Sequence, residues 1–178
     1  ATLTVYGCSA ESWKDVEVVE NFSTNYISNV HFSGKVKLGT YEKVFSQPGG
    51  LKKHAGLNNC CLHNCEVGND VFIDKVHNYI ANYNIGDGAY IENVNLLLVD
   101  GLSCFGNGVK VPVMNEGGGR EIPIFDWLSA PLAYVLTLYR HRPILIRNLQ
   151  KRIDEYARAQ QSDKGTIGEN VRIVNCGS

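Results

Sequence analysis

The sequence predicts a mainly β solenoid, built from repeats of six residues, with a helical hairpin inserted near its C-terminal end. Three observations lead to this fold class. An apolar residue recurs at every sixth position through the middle of the chain. Asn (17 residues) and Gly (18 residues) make up about a fifth of the 178 residues, yet no segment reads as a flexible linker, so an ordered fold must use many tight turns. Residues 115–166 break the six-residue period and have helical spacing instead.

The repeat is clearest from residue 61 onward. Its apolar positions are Cys61, Val67, Ile73, Tyr79, Ile85, Ile91 and Leu97. A helix would place apolar residues three and four apart, and an amphipathic strand would alternate with a period of two. A period of six is typical of short strands separated by turns, and three repeats make one solenoid turn of about 18 residues. A second inward position follows four residues after the first, which predicts that Cys61, Cys65 and His77 point inward.

The corners of such a coil explain the Asn and Gly content, because the chain must turn every few residues. Candidate corner residues are Asn69, Asn82, Gly88 and Asn93.

The pattern predicts three segments. Residues 1–114 form β-helix coils with an irregular N-terminal part, and Phe105-Gly-Asn-Gly-Val109 is one of the repeats. Residues 115–166 form a glycine loop and a helical hairpin, and residues 167–178 return to the coil. Because an uncovered coil end leaves backbone groups unpaired, we expect that the chain is a fragment or that another chain covers this end.

Two helices are expected in the insertion. Ser129 is a plausible N-cap and Pro131 is tolerated in the first turn of a helix. The apolar residues of this helix are Leu132, Val135, Leu136 and Tyr139. Pro143 begins the second helix, and its apolar stripe consists of Ile146, Leu149, Ile153 and Tyr156.

Composition excludes several classes of protein. Charged residues make up 20% of the chain and the net charge is −1, so no global charge attracts nucleic acid or an anionic membrane. No apolar run reaches the roughly 20 residues that span a bilayer. The six cysteines lack the paired Cys-x-x-Cys spacing of a zinc site, so no metal is expected. Free thiols that act as small apolar side chains fit a reducing, cytoplasmic location.

Several stretches carry a family resemblance. They are Asn29-Val-His-Phe-Ser-Gly34, Lys53-His54-Ala-Gly56, Asn78-Tyr-Ile-Ala-Asn-Tyr83, Asn115-Glu-Gly-Gly-Gly-Arg-Glu121 and Tyr139-Arg-His-Arg-Pro143. With the hexapeptide run, the chain resembles the left-handed parallel β-helix superfamily of acyltransferases, and more closely an uncharacterised bacterial family of longer hexapeptide-repeat proteins. The resemblance implies a left-handed coil, a trimer, and substrate sites in the clefts between neighbouring coils. It also implies acyl transfer to sugars, amino acids or nucleotide sugars.

An acyltransferase needs a base near neutral pH and hydrogen-bond donors for the developing oxyanion. We choose His63 as the first candidate base, because it is expected to be exposed beside Asn59 and Asn64. His54, beside two lysines, is the second candidate. The alternative for each histidine is a surface or hydrogen-bonded structural role, and a buried structural role is expected for His77.

A basic cluster is the candidate for binding phosphate groups, because arginine makes forked contacts to them. It consists of Arg140, Arg142, Arg147, Lys151 and Arg152, and the first four are the candidate binding residues. The alternative is a solvated helix face that pairs with Asp154 and Glu155. Arg120 and its glycine loop are candidates for closing over an anionic ligand, although making a turn is the simpler role.

Two functions follow from these features. The first is transfer of an acyl group from a carrier thioester to a sugar or nucleotide-sugar acceptor. No firmly bound cofactor is expected, and acyl-coenzyme A is the candidate co-substrate. The alternative is a non-catalytic β-helix module of a longer protein, which forms a trimer or binds a sugar nucleotide, since a fold does not determine a function. In both cases we expect a homotrimer and no nucleic-acid or membrane partner.

Overall fold

A computed structural model describes residues 2–113 and 117–177. The chain divides into two compact units. The first unit comprises residues 1–100 and 164–178, and the second comprises residues 101–163. In chain order the helices and strands are α1 (Thr2–Val5), β1 (Ser9–Ala10), β2 (Val16–Val18), β3 (Ile27–Ser33), β4 (Val36–Leu38), β5 (Val44–Ser46), β6 (Lys52–His54), β7 (Gly56–His63), β8 (Glu66–Val67), β9 (Phe72–Val76), β10 (Ile80–Ala81), β11 (Tyr83–Ile85), β12 (Tyr90–Val94), β13 (Leu97–Leu98), β14 (Lys110–Pro112), β15 (Glu121–Pro123), α2 (Ala130–Leu138), α3 (Pro143–Ala159), β16 (Gly165–Ile167) and β17 (Arg172–Cys176).

Two parallel sheets form the first unit. The larger sheet has the order β1-β3-β7-β9-β12-β17, and β10 and β13 join it beside β7. The smaller sheet has the order β2-β4-β8-β11-β16. Every strand pair within these two sheets is parallel, and the chain visits both sheets in the same sequential order. The prediction of a mainly β protein is therefore confirmed, and its two larger sheets are parallel.

The inner faces of the two sheets share one apolar core. Val67, Ile73, Ile85 and Ile91 are all buried, as the repeat predicts. Branched aliphatic residues of this kind pack well on a pleated surface, and in a parallel sheet they stack on the same residue type in the next strand. Ile73 and Ile91, for example, are register partners in β9 and β12.

Three predicted inward positions differ in the structure. Tyr79 is exposed and the next residue, Ile80, is buried, and the other two positions are Cys61 and His77. Cys61 is only half-buried, whereas its neighbours Cys60 and Leu62 are buried. His77 is exposed and Val76 is buried in its place. At Cys61 and His77, a residue with positive φ precedes the buried one: Asn59 (φ 47°) and Lys75 (φ 57°). A left-handed residue reverses the alternation of side chains at the corner, so the inward phase moves by one residue.

Asparagine occupies most of the left-handed positions that are not glycine. Of the ten non-glycine residues with positive φ in the described part of the chain, seven are Asn: Asn29, Asn59, Asn64, Asn82, Asn93, Asn170 and Asn175. Asn tolerates this conformation better than most residues. The corner prediction is confirmed for Asn82, Asn93 and Gly88, but Asp70 takes the left-handed position instead of Asn69. Amide side chains also bond between strands at these corners, as from Asn29 Nδ2 to Asn59 Oδ1 (2.8 Å).

An antiparallel hairpin interrupts the parallel architecture. Strands β5 and β6 pair with each other, and the hairpin lies over the outer side of β9 and β12. The Phe45 ring packs edge-on against Phe72 (6.2 Å between centroids) and Tyr90 (5.3 Å), which are themselves stacked. Both stacked rings are therefore buried although they point outward from their strands.

The second unit contains the two predicted helices. Helix α2 follows Ser129, which occupies the N-cap position without a side-chain bond, and α3 begins at Pro143. The stripe of α3 faces a small core formed around Ile122, Leu136 and Ile153. The remaining strands of the unit, β14 and β15, pair in antiparallel fashion.

The boundaries differ from the predicted segments. The repeat-like segment 105–109 belongs to the second unit and forms no strand, because Phe105, Gly106 and Gly108 all have positive φ and fold into turns. The first unit therefore ends at residue 100 rather than at 114, and the chain returns to it at residue 164. The predicted boundary at 114/115, with Asn115 and Glu116 of the glycine loop, lies outside the described residues.

Candidate functional site

A groove of about 380 Å³ in the first unit is lined by aromatic, polar and charged side chains. We call it the His54 groove. Its lining residues are Asn25, Tyr26, Lys53, His54, Ala55, Asn58, Phe72 and Asp74. The repeat supplies Asn58, Phe72 and Asp74, and the hairpin supplies Lys53 and His54.

The His54 ring is held from two sides. It stacks on Tyr26 with 3.5 Å between ring centroids and an interplanar angle of 9°. Its Nδ1 lies 2.9 Å from the carbonyl oxygen of Ala55. A carbonyl oxygen only accepts, so Nδ1 carries the proton and Nε2 of the neutral ring keeps its lone pair. No described residue bonds to Nε2, so His54 has the geometry of a base with a fixed tautomer.

Asn58 supplies hydrogen-bond donors beside this base. Its Oδ1 accepts a bond from Ser28 Oγ (2.7 Å), which orients the amide. Its Nδ2 has no partner within the described residues, so both N–H groups can bind a ligand.

Leu57 and Ile73 are register partners on adjacent strands, and Asn58 and Asp74 are the residues that follow them. Asp74 therefore lies next to Asn58. Asn59 Nδ2 donates to Asp74 Oδ1 (2.9 Å). The second carboxylate oxygen has no bond to any residue that the structure describes. The groove therefore offers a carboxylate acceptor as well as the imidazole.

Lys53 is held by a charged network behind the groove. Lys53 Nζ and the Tyr90 hydroxyl both donate to the Glu92 carboxylate, the latter at 2.6 Å. Two hydrogen bonds lower the pKa of Glu92, and the bond from Lys53 has a larger effect than the bond from Tyr90. The same bond to Glu92 raises the pKa of Lys53. Both groups are therefore ionised at neutral pH. The Lys53 ammonium also lies 5.4 Å from the centroid of the Phe72 ring, a cation–π distance.

The network predicts a pH dependence of stability. Because the pKa of Glu92 is lower in the folded state than in the unfolded state, its bonds stabilise the fold at neutral pH, and this contribution is lost as the pH falls through the folded pKa. We expect Glu92→Gln to lower the free energy of unfolding by about 1 kcal/mol at pH 7 and by less at pH 3. Thermal unfolding of both proteins between pH 3 and 7 measures this. Glu66→Gln, an exposed acid outside the network, is the control; a Glu92→Gln deficit that stayed constant down to pH 3 would contradict the prediction.

His63 lies outside this groove and both of its ring nitrogens are engaged. Nε2 accepts from the amide of Asn64 (2.9 Å), so Nδ1 carries the proton and donates to Ser33 Oγ (2.7 Å). Asn64 Oδ1 in turn accepts from the backbone of Lys35. To act as a base, His63 would first have to lose its bond to Asn64.

The other predicted binding residues are distributed over the chain. Asn59 is a corner residue that joins Asn29 to Asp74. The five basic candidates, Arg120, Arg140, Arg142, Arg147 and Lys151, belong to the second unit. Among them, Arg140 donates to the carbonyl oxygen of Glu121 (2.7 Å), and Lys151 lies 3.9 Å from Glu155, as the solvated-face alternative predicts.

Sequence reasoning missed Asn58, Asp74 and the partners of Lys53 as site residues. A signal for part of this set was present: Asp74 and Glu92 each follow the apolar residue of a repeat and are 18 residues apart. That spacing places them as register partners on neighbouring strands. A row of acidic residues on the outer face of the larger sheet was therefore predictable, whereas the hairpin that meets it was not.

Metal and thiol chemistry receive no support from the described residues. They contain no cluster of three or more His, Cys, Asp or Glu side chains that could hold a metal ion. All six cysteines are free thiols, and burial raises the pKa of Cys8, Cys60 and Cys65, which disfavours the reactive thiolate. Of the helices in residues 2–113 and 117–177, none has the length and apolarity needed to cross a membrane.

Comparison with known proteins places the chain in a family. No solved structure matches it significantly. An uncharacterized protein of Treponema pallidum (strain Nichols) is 25% identical over 186 residues, which cover 98% of this chain and 26% of that protein. The chain thus spans about a quarter of the length of this relative. The family described as "Domain of unknown function (DUF4954)" matches residues 1–178, and the chain belongs to this family.

Proposed function

We propose that the first unit is a left-handed parallel β-helix. Strands that alternate between two parallel sheets in one sequential order, with a left-handed residue at most corners, support a coil. The handedness comes from the family resemblance described above. A homotrimer, which the same resemblance implies, is part of this proposal; light scattering of the purified protein would give three times the chain mass of 19.7 kDa.

We propose further that the chain transfers an acyl group from a carrier thioester, with acyl-coenzyme A as the co-substrate, to a sugar or nucleotide-sugar acceptor. The observation that carries the proposal is the geometry of His54. Its Nδ1–H is bound to a backbone carbonyl, and its Nε2 is unpartnered among the described residues in a groove that also contains the amide of Asn58. A fixed base beside a hydrogen-bond donor is the minimal equipment for acyl transfer.

Each side chain has a defined role in this reaction. His54 Nε2 removes the proton of the acceptor, whose oxygen or nitrogen attacks the thioester carbonyl carbon. The amide N–H groups of Asn58 stabilise the oxyanion that develops on the carbonyl oxygen. The C–S bond then breaks, the thiolate takes a proton, and the ester or amide leaves with the free thiol. Of the two histidines selected from the sequence, this proposal assigns the base to His54 rather than to His63.

Substitution of His54 tests the proposal. With acetyl-coenzyme A and a panel of sugars, we expect His54→Gln to lower kcat by about 100-fold or more, because a positioned base contributes roughly that factor. His63→Gln and His77→Gln are matched controls that should retain turnover within a few fold. Release of the free thiol measures turnover, and thermal unfolding verifies that each variant is folded. Retained turnover in His54→Gln, or its loss in His63→Gln alone, would contradict the assignment.

The alternative is a non-catalytic module for trimerisation or sugar-nucleotide binding within a longer protein. It is favoured by one finding: in the Treponema relative, the matching region is only about a quarter of the protein. Under this alternative, neither acyl-coenzyme A nor coenzyme A at millimolar concentration would raise the melting temperature, and no acceptor would be acylated. The free, buried thiols support a cytoplasmic location for either function.

A further inference from the structure

The charges of the His54 groove favour one kind of acceptor. Asp74 lines the groove with one carboxylate oxygen uncommitted within the described residues. Among the described residues that line it, Lys53 is the only cation, and Glu92 already neutralises its charge. The three charged groups together leave one net negative charge, which repels a phosphate or carboxylate and attracts a cation.

The aromatic lining points the same way. Tyr26 and Phe72 both line the groove, and the Lys53 ammonium already lies within cation–π distance of the Phe72 ring. Aromatic faces bind ammonium groups through the negative charge of their π systems. Because Phe72 is buried, the exposed Tyr26 ring, which stacks on His54 through one face, is the aromatic contact open to a ligand. The groove thus combines a carboxylate, this ring and an imidazole lone pair.

We propose that the acceptor of the acyl group is a primary amine, whose ammonium form Asp74 binds beside His54. The inference rests on the proposed acyl transfer and narrows its acceptor from sugars in general to those that carry an amino group. Asp74 acts as a binding residue, because the amine is recognised as its ammonium ion. The ammonium group donates hydrogen bonds to the Asp74 carboxylate and to His54 Nε2.

The chemical step balances without a further reactant. The ammonium gives one proton to His54 Nε2, which leaves a neutral amine with a lone pair. This nitrogen attacks the thioester carbonyl carbon, a C–N bond forms, and the C–S bond breaks. The second proton passes from nitrogen to the leaving thiolate, so the products are an amide, a free thiol and an imidazolium that releases its proton to water.

A matched pair of acceptors tests the inference. Glucosamine and glucose share one scaffold and differ in an amino group at one carbon. With acetyl-coenzyme A as donor, we expect glucosamine to be acylated with a kcat/KM about 100-fold higher than that of glucose. Asp74→Asn keeps a side-chain oxygen that can accept the hydrogen bond from Asn59 Nδ2. It should raise KM for glucosamine by about 10-fold and change kcat little, because the charge-assisted hydrogen bond to the ammonium group is lost. Glu66→Gln, an acid outside the groove, should leave both constants unchanged.

The outcomes separate this inference from the proposed function. Equal use of glucose, or an unchanged KM in Asp74→Asn, would overturn the amine acceptor and leave acyl transfer standing. Absence of all acylation would remove the proposed function. In that case binding followed by NMR still decides the recognition step: resonances of the groove residues should shift with glucosamine and not with glucose, and the shifts should disappear in Asp74→Asn. Equal shifts with both sugars would overturn it.

Discussion

Replacing Gly56 with alanine is expected to lower the free energy of unfolding by about 3 kcal/mol. A Cβ atom at this position would clash with the carbonyl oxygen of Tyr26 and lie 2.8 Å from the Tyr26 Cβ. The backbone is also unfavourable for any other residue, because φ is +153°. The clash is with backbone, so no side-chain rotation relieves it. Strand β7 would have to move away from Tyr26 or lose its first residue.

Chemical denaturation of Gly56→Ala measures the loss, and Gly168→Ala is the matched control. A Cβ at Gly168 would meet only the Val171 side chain, at an ordinary 3.6 Å, and its φ is not in the left-handed region. We expect Gly168→Ala to change stability by less than about 0.5 kcal/mol. Because Tyr26 stacks on His54, the Gly56 variant should also disturb the groove. Equal stability of the two variants would contradict this account of Gly56.

The repeat in the sequence predicted the core well where strands are straight. Val67, Ile73, Ile85 and Ile91 are buried, and within its strand each of them lies before any left-handed residue. The two helices of the insertion were likewise predictable, because apolar stripes and a proline at the start are local signals. Local periodicity is thus sufficient to find these elements and the face that each one buries.

The predictions that were wrong at the corners and incomplete at the site failed for a common physical reason. The inward phase moves by one residue at Asn59 and Lys75, and a fixed six-residue count has no means of registering a left-handed corner. The site depends on contacts between distant parts of the chain: Lys53 bonds to Glu92, 39 residues away. Nε2 of His54 has no partner in the part of the chain that the structure describes, and its lone pair follows from the bond of Nδ1 to the next residue, Ala55, which no residue pattern reveals.

The groove forms where the larger parallel sheet meets the hairpin of β5 and β6. The larger parallel sheet provides a row of stacked polar positions, with Asn58 followed by Asp74 and Glu92 on successive strands. Such a row is rigid because each strand is bonded on both sides. The hairpin brings Lys53 and His54 to this row, and the packing of Phe45 on Phe72 and Tyr90 holds the hairpin there. A rigid scaffold that positions residues from a loop is a common arrangement for binding and catalysis.

Leu62→Ala should cost about 3 kcal/mol of stability, whereas Cys61→Ala should cost less than about 1 kcal/mol. The pair tests the phase of the strand after the corner at Asn59. Leu62 is fully buried (0% exposed) and pairs in register with Phe32 and Ile80. Removing its three outer carbon atoms leaves a cavity among stacked side chains, and parallel strands bonded on both sides cannot easily collapse to fill it.

Cys61 is the matched comparison, since it is adjacent in the chain and was expected inside from the period alone. It is half-buried and pairs with the exposed His31, so truncation removes one sulfur atom from a partly solvated face. Equilibrium unfolding in urea gives both values under the same conditions. A larger loss for Cys61→Ala than for Leu62→Ala would place Cys61 inside the core. The left-handed corner at Asn59 would then not shift the strand's phase, and the outward assignment of His63, which follows that corner, would need revision with it.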